Sequence, residues 1–133
     1  MIDIAGIDHI VLRCRDLEAM RRFYCDALGL TVAKHNAPLA MYHLRAGASL
    51  IDLIAADGPL GRPGGAAPGA EGRNVDHLCL NVRDFDLERI KAHLIAHGVT
   101  PGAAGERFGA GGDGLSLYLT DPEGNGLELR AAP

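Results

Sequence analysis

The segments GIDHIVL (residues 6–12) and NVDHLCL (residues 74–80) each place an Asp-His pair at the start of an apolar run. Both runs alternate in the way that a β-strand alternates, with every second side chain on the same face. A histidine is unusual in a strand that borders a core. Its repetition at matching places indicates either a duplication without function or two halves of one shared site.

The chain continues in the same order after each of these strands. In RDLEAMRRFYCDALG (15–29) apolar residues recur every three or four positions, Asp16 can cap a helix, and Gly29 stands where a helix-ending glycine belongs. Strands are predicted near 30–34, 40–45 and 49–55, with RAGA as the turn between the last two. The first unit therefore has the order βαβββ.

The second unit repeats this order. RDFDLERIKAHLIAHG (83–98) predicts a helix, and LSLYLTD (115–121) and GLELRAA (126–132) predict two strands joined by the turn sequence PEGN. A strand near 98–101 carries the weakest signal. We predict an α+β protein of one domain, 1–133, with module one at about 5–56, a linker at 57–74 and module two at about 74–131.

Composition excludes several classes of protein. The 133 residues are 47% hydrophobic with a net charge of −4, and the basic residues are scattered, so no nucleic-acid partner is expected. No apolar stretch approaches the length that spans a membrane. The start, MIDIAGID, lacks the basic region of a signal peptide, and three cysteines form no CxxC motif. These features predict a cytoplasmic protein without a membrane partner.

Two glycine-rich segments interrupt the repeat. The linker at 57–74 holds nine Gly or Pro residues, and PGAAGERFGAGGDG (101–114) is nearly as loose. Either segment is a mobile connection or a lid over a cleft. GAGGDG does not follow a strand and open a helix, which excludes a dinucleotide-binding fingerprint.

Four polar residues recur in the duplicated frame. His9 and His77 open the first strand of each module, and Asp52 and Glu128 lie in the last. Two imidazoles and two carboxylates would suit Zn²⁺, Ni²⁺, Fe²⁺ or Mn²⁺. The alternatives are structural histidines, and carboxylates paired with Arg13 or Arg130. If the PEGN hairpin is symmetric, Tyr118 lies opposite Glu128. Cys79 is predicted to be a small buried residue, and the other four histidines, His35, His43, His93 and His97, to lie on the surface.

The segments GIDHIVLRCRDLEAMRRFYCDALGL (6–30) and LYLTDPEGNGLELR (117–130) resemble the opening and the closing strand-turn-strand of the vicinal oxygen chelate superfamily. That superfamily includes glyoxalase I, extradiol dioxygenases and bleomycin-binding proteins. The resemblance implies two βαβββ modules that form an open, curled mixed sheet, as a half-barrel or barrel around a metal. It also implies a small-molecule substrate and a homodimer, with the modules pairing within one chain or across two.

The resemblance assigns metal ligation to His9, His77 and Glu128. Asp52 falls where glyoxalase I has a glutamate, and its side chain is one methylene shorter. Glu128 and Asp52 are the implied catalytic carboxylates. Arg13 matches an arginine that holds the glutathione carboxylate in bacterial glyoxalase I, although the asparagine that assists it is replaced by Ala56. Arg13 and Tyr118 are the candidate substrate-binding residues.

The activity implied by the resemblance is metal-dependent. The first candidate is a glyoxalase-like lyase or isomerase, in which the metal chelates vicinal oxygens and stabilises an enediolate-type intermediate. The second is an extradiol-type ring-cleaving dioxygenase, because two histidines and one carboxylate suit Fe²⁺ and dioxygen. The third is a non-catalytic binding protein of the bleomycin type. Such binders generally lack the metal ligands, whereas all four positions here hold possible donors.

Overall fold

A computed structural model describes all 133 residues of the chain. The residues form two compact units, Met1–Pro68 and Gly69–Pro133, and the boundary between them falls inside the glycine-rich segment 57–74. The first unit contains module one and the second contains module two. None of the helices combines the length and apolar character that crossing a membrane requires.

Module one is a four-stranded mixed sheet with one helix. Its elements are β1 (His9–Cys14), α1 (Leu17–Arg22), β2 (Thr31–Asn36), β3 (Met41–Ala46) and β4 (Ser49–Ala55). The strand order is β1-β4-β3-β2, with β1 parallel to β4 and the other pairs antiparallel. The predicted βαβββ order is confirmed.

The helix of module one begins and ends as its sequence predicts, but it changes type on the way. The Asp16 side chain accepts a hydrogen bond from the Ala19 backbone N–H at 2.9 Å, which satisfies one of the free donors of the first turn. After α1 the chain continues as a π-helical segment, Phe23–Ala27. Gly29 then adopts a φ of +77°, the left-handed conformation that glycine tolerates best.

Module two repeats the topology. Its elements are β5 (His77–Val82), α2 (Leu87–Ala96), β6 (Ala104–Gly109), β7 (Gly112–Thr120) and β8 (Gly126–Ala131). The strand order is β5-β8-β7-β6, and β5 runs parallel to β8. The α+β prediction of two open, mixed-sheet modules is confirmed.

One of the strands predicted for module two was wrong. No strand lies at 98–101, and the segment 101–114, predicted to be loose, contains β6 and the start of β7. Two glycines of this segment, Gly109 and Gly114, allow close packing against the Arg130 side chain. A Cβ at Gly109 or Gly114 would collide with the Arg130 guanidinium, which donates to the Gly112 carbonyl at 2.8 Å. These glycines therefore make room for a buried cation, which a propensity argument does not detect.

Each sheet separates an apolar face from a polar one. In module one, Leu44, Ile51 and Leu53 are buried, as are the α1 side chain Met20 and Tyr24 of the π-helical segment. In module two the corresponding buried residues are Leu94 of α2 and four strand leucines, Leu117, Leu119, Leu127 and Leu129. Because side chains alternate along a strand, the histidines and carboxylates lie on the opposite face.

Candidate metal centre

The polar face of module one is set by the register of three strands. Val11 of β1 and His43 of β3 both pair with Asp52 of β4, so the three residues share one face. His9 lies two residues before Val11 and therefore on that face as well. Asp52 is buried, and the two strands that flank β4 each contribute one imidazole to this face, His9 from β1 and His43 from β3.

His9 is held by the residue before it. Its Nδ1 lies 2.6 Å from Oδ1 of Asp8. An ionised carboxylate only accepts hydrogen bonds, so Nδ1 carries the proton and Nε2 is left to accept a proton or a metal. The hydrogen bond to Asp8 raises the pKa of His9 against the effect of desolvation, and the charge of Asp52 adds to the rise.

Asp52 is bonded to His43, which the sequence analysis had placed on the surface. Oδ1 of Asp52 lies 2.9 Å from Nδ1 of His43, and the exposed fractions of the two side chains are 3% and 23%. Neither Arg13 nor Arg130 bonds either predicted carboxylate. The signal that could have found His43 was the RAGA hairpin, whose symmetric pairing sets residue 43 opposite residue 52.

Module two contains a histidine and a carboxylate in direct contact. Nδ1 of His77 lies 2.7 Å from Oδ2 of Asp76, and Nε2 of the same ring lies 3.0 Å from Oε2 of Glu128. Ser116 donates its hydroxyl to the other Glu128 oxygen, Oε1, at 2.5 Å. The sequence analysis named His77 and Glu128 but missed the contribution of Ser116.

These contacts adjust the protonation of both groups. Burial raises the pKa of Glu128, but the hydrogen bond from Ser116 and the charge of His77 outweigh it, so the pKa is lowered overall. The bond to Asp76, followed by the charge of Glu128, raises the pKa of His77 despite partial burial. Glu128 is consequently an anion near neutral pH, and His77 gains proton affinity beside it.

The donor atoms of module two fit a metal ion. Two ligands that each lie about 2.1 Å from one ion, at 90–109° to each other, are about 3.0–3.4 Å apart. The 3.0 Å separation of Nε2 of His77 and Oε2 of Glu128 falls in this range. The Nδ1–carboxylate bonds of His77 and His9 match the partners that orient metal-bound histidines. However, no three His, Cys, Asp or Glu side chains of the chain form a group that could hold a metal ion.

Tyr118 lies opposite Glu128 across the hairpin, as the symmetric PEGN turn predicted. Its ring meets the His77 ring edge-on, with centroids 5.6 Å apart, and the Arg107 guanidinium lies 5.5 Å from its centre. The ring therefore borders the His77–Glu128 pair. This position is compatible with the predicted role in substrate binding.

The other predicted substrate-binding residue, Arg13, is hydrogen-bonded to the glycine-rich segment 57–74. Its guanidinium donates to the carbonyls of Gly61, Gly65 and Ala66 at 3.0, 2.6 and 3.1 Å. A Cβ at Gly64 would also collide with it. Arg13 thus anchors the glycine-rich segment, which uses three of its five N–H donors.

The prediction that Cys79 is buried was wrong. Cys79 is on the site face, directly opposite Glu128 in the parallel pair, but it is exposed instead of buried. Partial desolvation of the thiol, followed by the charge of Glu128, raises its pKa to about 11. Exposure alone would suggest a reactive cysteine, whereas this environment keeps it protonated.

We expect Cys79 to react with iodoacetamide at pH 8 about 100-fold more slowly than in the urea-unfolded chain, where its pKa returns to about 8.5. Glu128→Gln removes the neighbouring charge and should accelerate the reaction of the folded protein. Mass spectrometry of the Cys79 peptide over time measures both rates. Equal rates for Cys79 in the folded and unfolded chains would contradict the raised pKa, and an unchanged rate in Glu128→Gln would contradict the contribution of Glu128.

Comparison with known proteins establishes the family of the chain. The model of the Glyoxalase/Bleomycin resistance protein/Dioxygenase superfamily matches residues 6–129. The chain belongs to this superfamily. The catechol-2,3-dioxygenase of Bacillus subtilis (strain 168) is 30% identical to this chain over 128 residues. The match covers 94% of the chain but only 41% of the dioxygenase, so the chain spans about two-fifths of that enzyme's length.

Two further proteins match this chain along most of their length. Virulence protein STM3117 of Salmonella typhimurium is 28% identical over 134 residues, which cover 95% of this chain and 83% of that protein. An integron cassette protein from the mobile metagenome of V. cholerae has a solved structure with a TM-score of 0.78 and 27% identity. That alignment covers 100% of this chain and 99% of the cassette protein.

Proposed function

We propose that the protein is a divalent-metal-dependent enzyme, a glyoxalase-like lyase or isomerase that acts on a small substrate with two adjacent oxygens. One observation carries the proposal: Nε2 of His77 and Oε2 of Glu128 are 3.0 Å apart, while Asp76 holds the other ring nitrogen. An imidazole held by an aspartate beside an ionised carboxylate would suit a pair of metal ligands. Membership of the superfamily supports it.

The candidate ligands in this proposal are His9 and Asp52 in module one, and His77 and Glu128 in module two. Zn²⁺, Ni²⁺, Fe²⁺ and Mn²⁺ are all compatible with two imidazoles and two carboxylates. When bound, the metal supplies Lewis-acid polarisation of the substrate oxygens. Ser116 keeps Glu128 ionised and fixed in rotation, and Tyr118 borders the substrate side of His77.

We also propose that the protein works as a homodimer. Apolar side chains remain exposed, among them Val11 on the polar face of module one at 42% and Phe108 of β6 at 84%. Membership of a superfamily whose proteins often form dimers supports the proposal.

A second function, a ring-cleaving dioxygenase, is favoured by a different observation. Asp52 is buried and bonded to His43, which leaves His9, His77 and Glu128 as two histidines and one carboxylate. That set is typical of non-haem Fe²⁺ oxygenases. The catechol dioxygenase relative agrees, although the chain covers only 41% of it.

The test is metal analysis combined with a measurement of size. Protein freed of metal by a chelator and titrated with Zn²⁺, Ni²⁺, Co²⁺ or Fe²⁺ should bind one ion per chain, with release of protons as His77 gives up its hydrogen. Light scattering on the same sample should show a dimer. Failure of all four ions to bind above the level of nonspecific surface sites would contradict the metal-dependent function.

A further inference from the structure

We propose that the guanidinium of Arg130, on the polar face of module two, binds an oxyanion of the substrate, a carboxylate or a phosphate group, with Arg107 and Asn81 as flanking donors. As a substrate subsite, it rests on the proposed function and narrows the substrate to one that carries a negative charge near its two adjacent oxygens. The anion site itself lies within module two and needs no metal.

Arg130 is a buried cation without a counter-ion. It is 7% exposed, yet its guanidinium forms no ion pair with a carboxylate of its own module. Of its five N–H groups one is used, in the bond from Nη2 to the Gly112 carbonyl at 2.8 Å. Burying a charge is costly unless the charge is paired. An oxyanion from outside the chain would supply the partner that the protein does not.

The unused donors of Arg130 can still be reached. Every fully buried side-chain nitrogen or oxygen of the chain has a hydrogen-bond partner. Nε and Nη1 of Arg130 have no partner, so both atoms retain contact with solvent. The side chain is therefore packed along its length while some of its N–H groups remain open to an incoming acceptor.

The β6–β7 hairpin holds this guanidinium in place. A Cβ at Gly109 would collide with Nη1 of Arg130, and a Cβ at Gly114 would collide with Nη2. Glycine at both positions lets the cation lie directly on the backbone of the hairpin. Because the side chain is fixed before an anion arrives, less conformational entropy is lost when one binds.

The register of the sheet gathers further donors around Arg130. Asn81 of β5 and Ser116 of β7 lie directly opposite it, one on each side. Arg107 of β6 pairs with Gly114, two residues from Ser116, so its side chain is on the same face. Asn81 and Arg107 are exposed. Two guanidiniums and an amide, all hydrogen-bond donors, therefore share this part of the face.

The acidic residues near Arg130 do not compete for it. Glu128 is already bonded to Ser116 and His77. Glu106 and Asp113, the acids of the β6–β7 hairpin, pair with apolar residues of the opposite face and lie on that face. An anion that approaches Arg130 consequently meets donors and positive charge.

The spacing along β8 relates this site to the His77–Glu128 pair. Arg130 follows Glu128 by two residues, which places their Cα atoms about 7 Å apart on the same face. His77 pairs with Gly126, on the other side of Glu128. A small substrate can therefore place two oxygens at the His77–Glu128 pair and a carboxylate or phosphate group at Arg130.

The first experiment tests the anion site in metal-free protein. Heteronuclear NMR follows the Nε–H signal of Arg130, assigned with Arg130→Lys, during titration with acetate or with inorganic phosphate. The signal should shift with saturation in the millimolar range, and the tighter probe identifies the group as carboxylate or phosphate. An Arg130 signal that neither probe shifts would overturn the inference without the need for any variant.

Variants separate the site from general charge. Arg130→Gln should weaken binding of the preferred probe, followed on the Asn81 amide signals, by about 10–100-fold, the loss expected for charge-assisted hydrogen bonds. Arg89→Gln removes a cation from the exposed face of α2 and should leave binding unchanged. An equal loss in both variants would show that only net charge matters and would overturn the site.

The second experiment tests the role as a substrate subsite. Zn²⁺-loaded protein should bind a catechol that carries the preferred anionic group about 10–100-fold more tightly than catechol itself, and Arg130→Gln should abolish this preference while keeping the affinity for catechol. The same preference in Arg130→Gln, or none in the wild type, would overturn the subsite. Failure of Zn²⁺ to bind would contradict the proposed function, and the metal-free titration would still decide the anion site.

Discussion

Glu128→Gln is expected to lower the affinity of the protein for Zn²⁺ or Ni²⁺ by more than about 100-fold, since losing only a partner that orients a ligand already costs 10–100-fold. Glutamine keeps the shape of glutamate and can still accept from Ser116, but it removes the anionic donor 3.0 Å from His77. Calorimetric titration of the metal-free protein at pH 7.5 measures the change.

A matched control variant distinguishes the loss of a metal ligand from the loss of one negative charge anywhere on the module. Glu106→Gln removes one carboxylate from an exposed position on β6 of the same module and should leave metal affinity unchanged. Affinity of the Glu128→Gln protein within tenfold of the wild type, with an unchanged circular dichroism spectrum, would remove Glu128 from the ligand set.

The same titration should depend on pH in a defined direction. Asp76 and Glu128 raise the pKa of His77, so protons compete with the metal for Nε2 more strongly than in a free histidine. Binding should therefore weaken as the pH falls through this raised pKa. Glu128, whose pKa is lowered, should not limit binding until the solution is more acidic.

The second large effect concerns the reaction. We expect the wild-type protein to show little or no conversion of the methylglyoxal–glutathione hemithioacetal, because Asp52 is short and tied to His43, and Ala56 replaces the asparagine that assists Arg13. Asp52→Glu should raise that turnover by about 100-fold, the usual contribution of one well-placed acid-base group. Absorbance at 240 nm follows the thioester product.

The alternative outcome is equally specific. If the protein is a dioxygenase, the iron-loaded wild type should consume oxygen with a catechol, and Asp52→Glu should not improve hemithioacetal turnover. Efficient conversion of the hemithioacetal by the wild-type protein with nickel or zinc would show that the expectation about Asp52 is wrong. Matching assays with each metal on one preparation keep the two activities comparable.

Much of the architecture follows from local sequence patterns. Alternation in the strands determines which side chains share a face, so His9 with Arg13 and His77 with Cys79 could be grouped without a structure. The caps at Asp16 and Gly29 were readable because they depend on only a few neighbouring residues. Because the βαβββ order occurs twice, Asp52 and Glu128 lie in matching last strands, and this identified them as a related pair.

What the sequence left open depends on contacts between distant strands. His43 lies directly opposite Asp52 in the β3–β4 pair, and Ser116 lies diagonal to Glu128 in the β7–β8 pair, so both bonds depend on the antiparallel register. β6 forms in a glycine-rich segment because pairing with β7 stabilises it where local propensity does not.

The sequence by itself determined the two βαβββ modules, the superfamily and the residues that can act as donors, because periodicity and motif spacing are local. Tertiary structure decided which donors have partners. Asp52 is paired with His43, whereas Glu128 is paired with His77. Cys79 is exposed, yet its raised pKa keeps it protonated. The reason is physical: hydrogen bonding, burial and pKa depend on which strand lies alongside, and that is set only when the sheet is assembled.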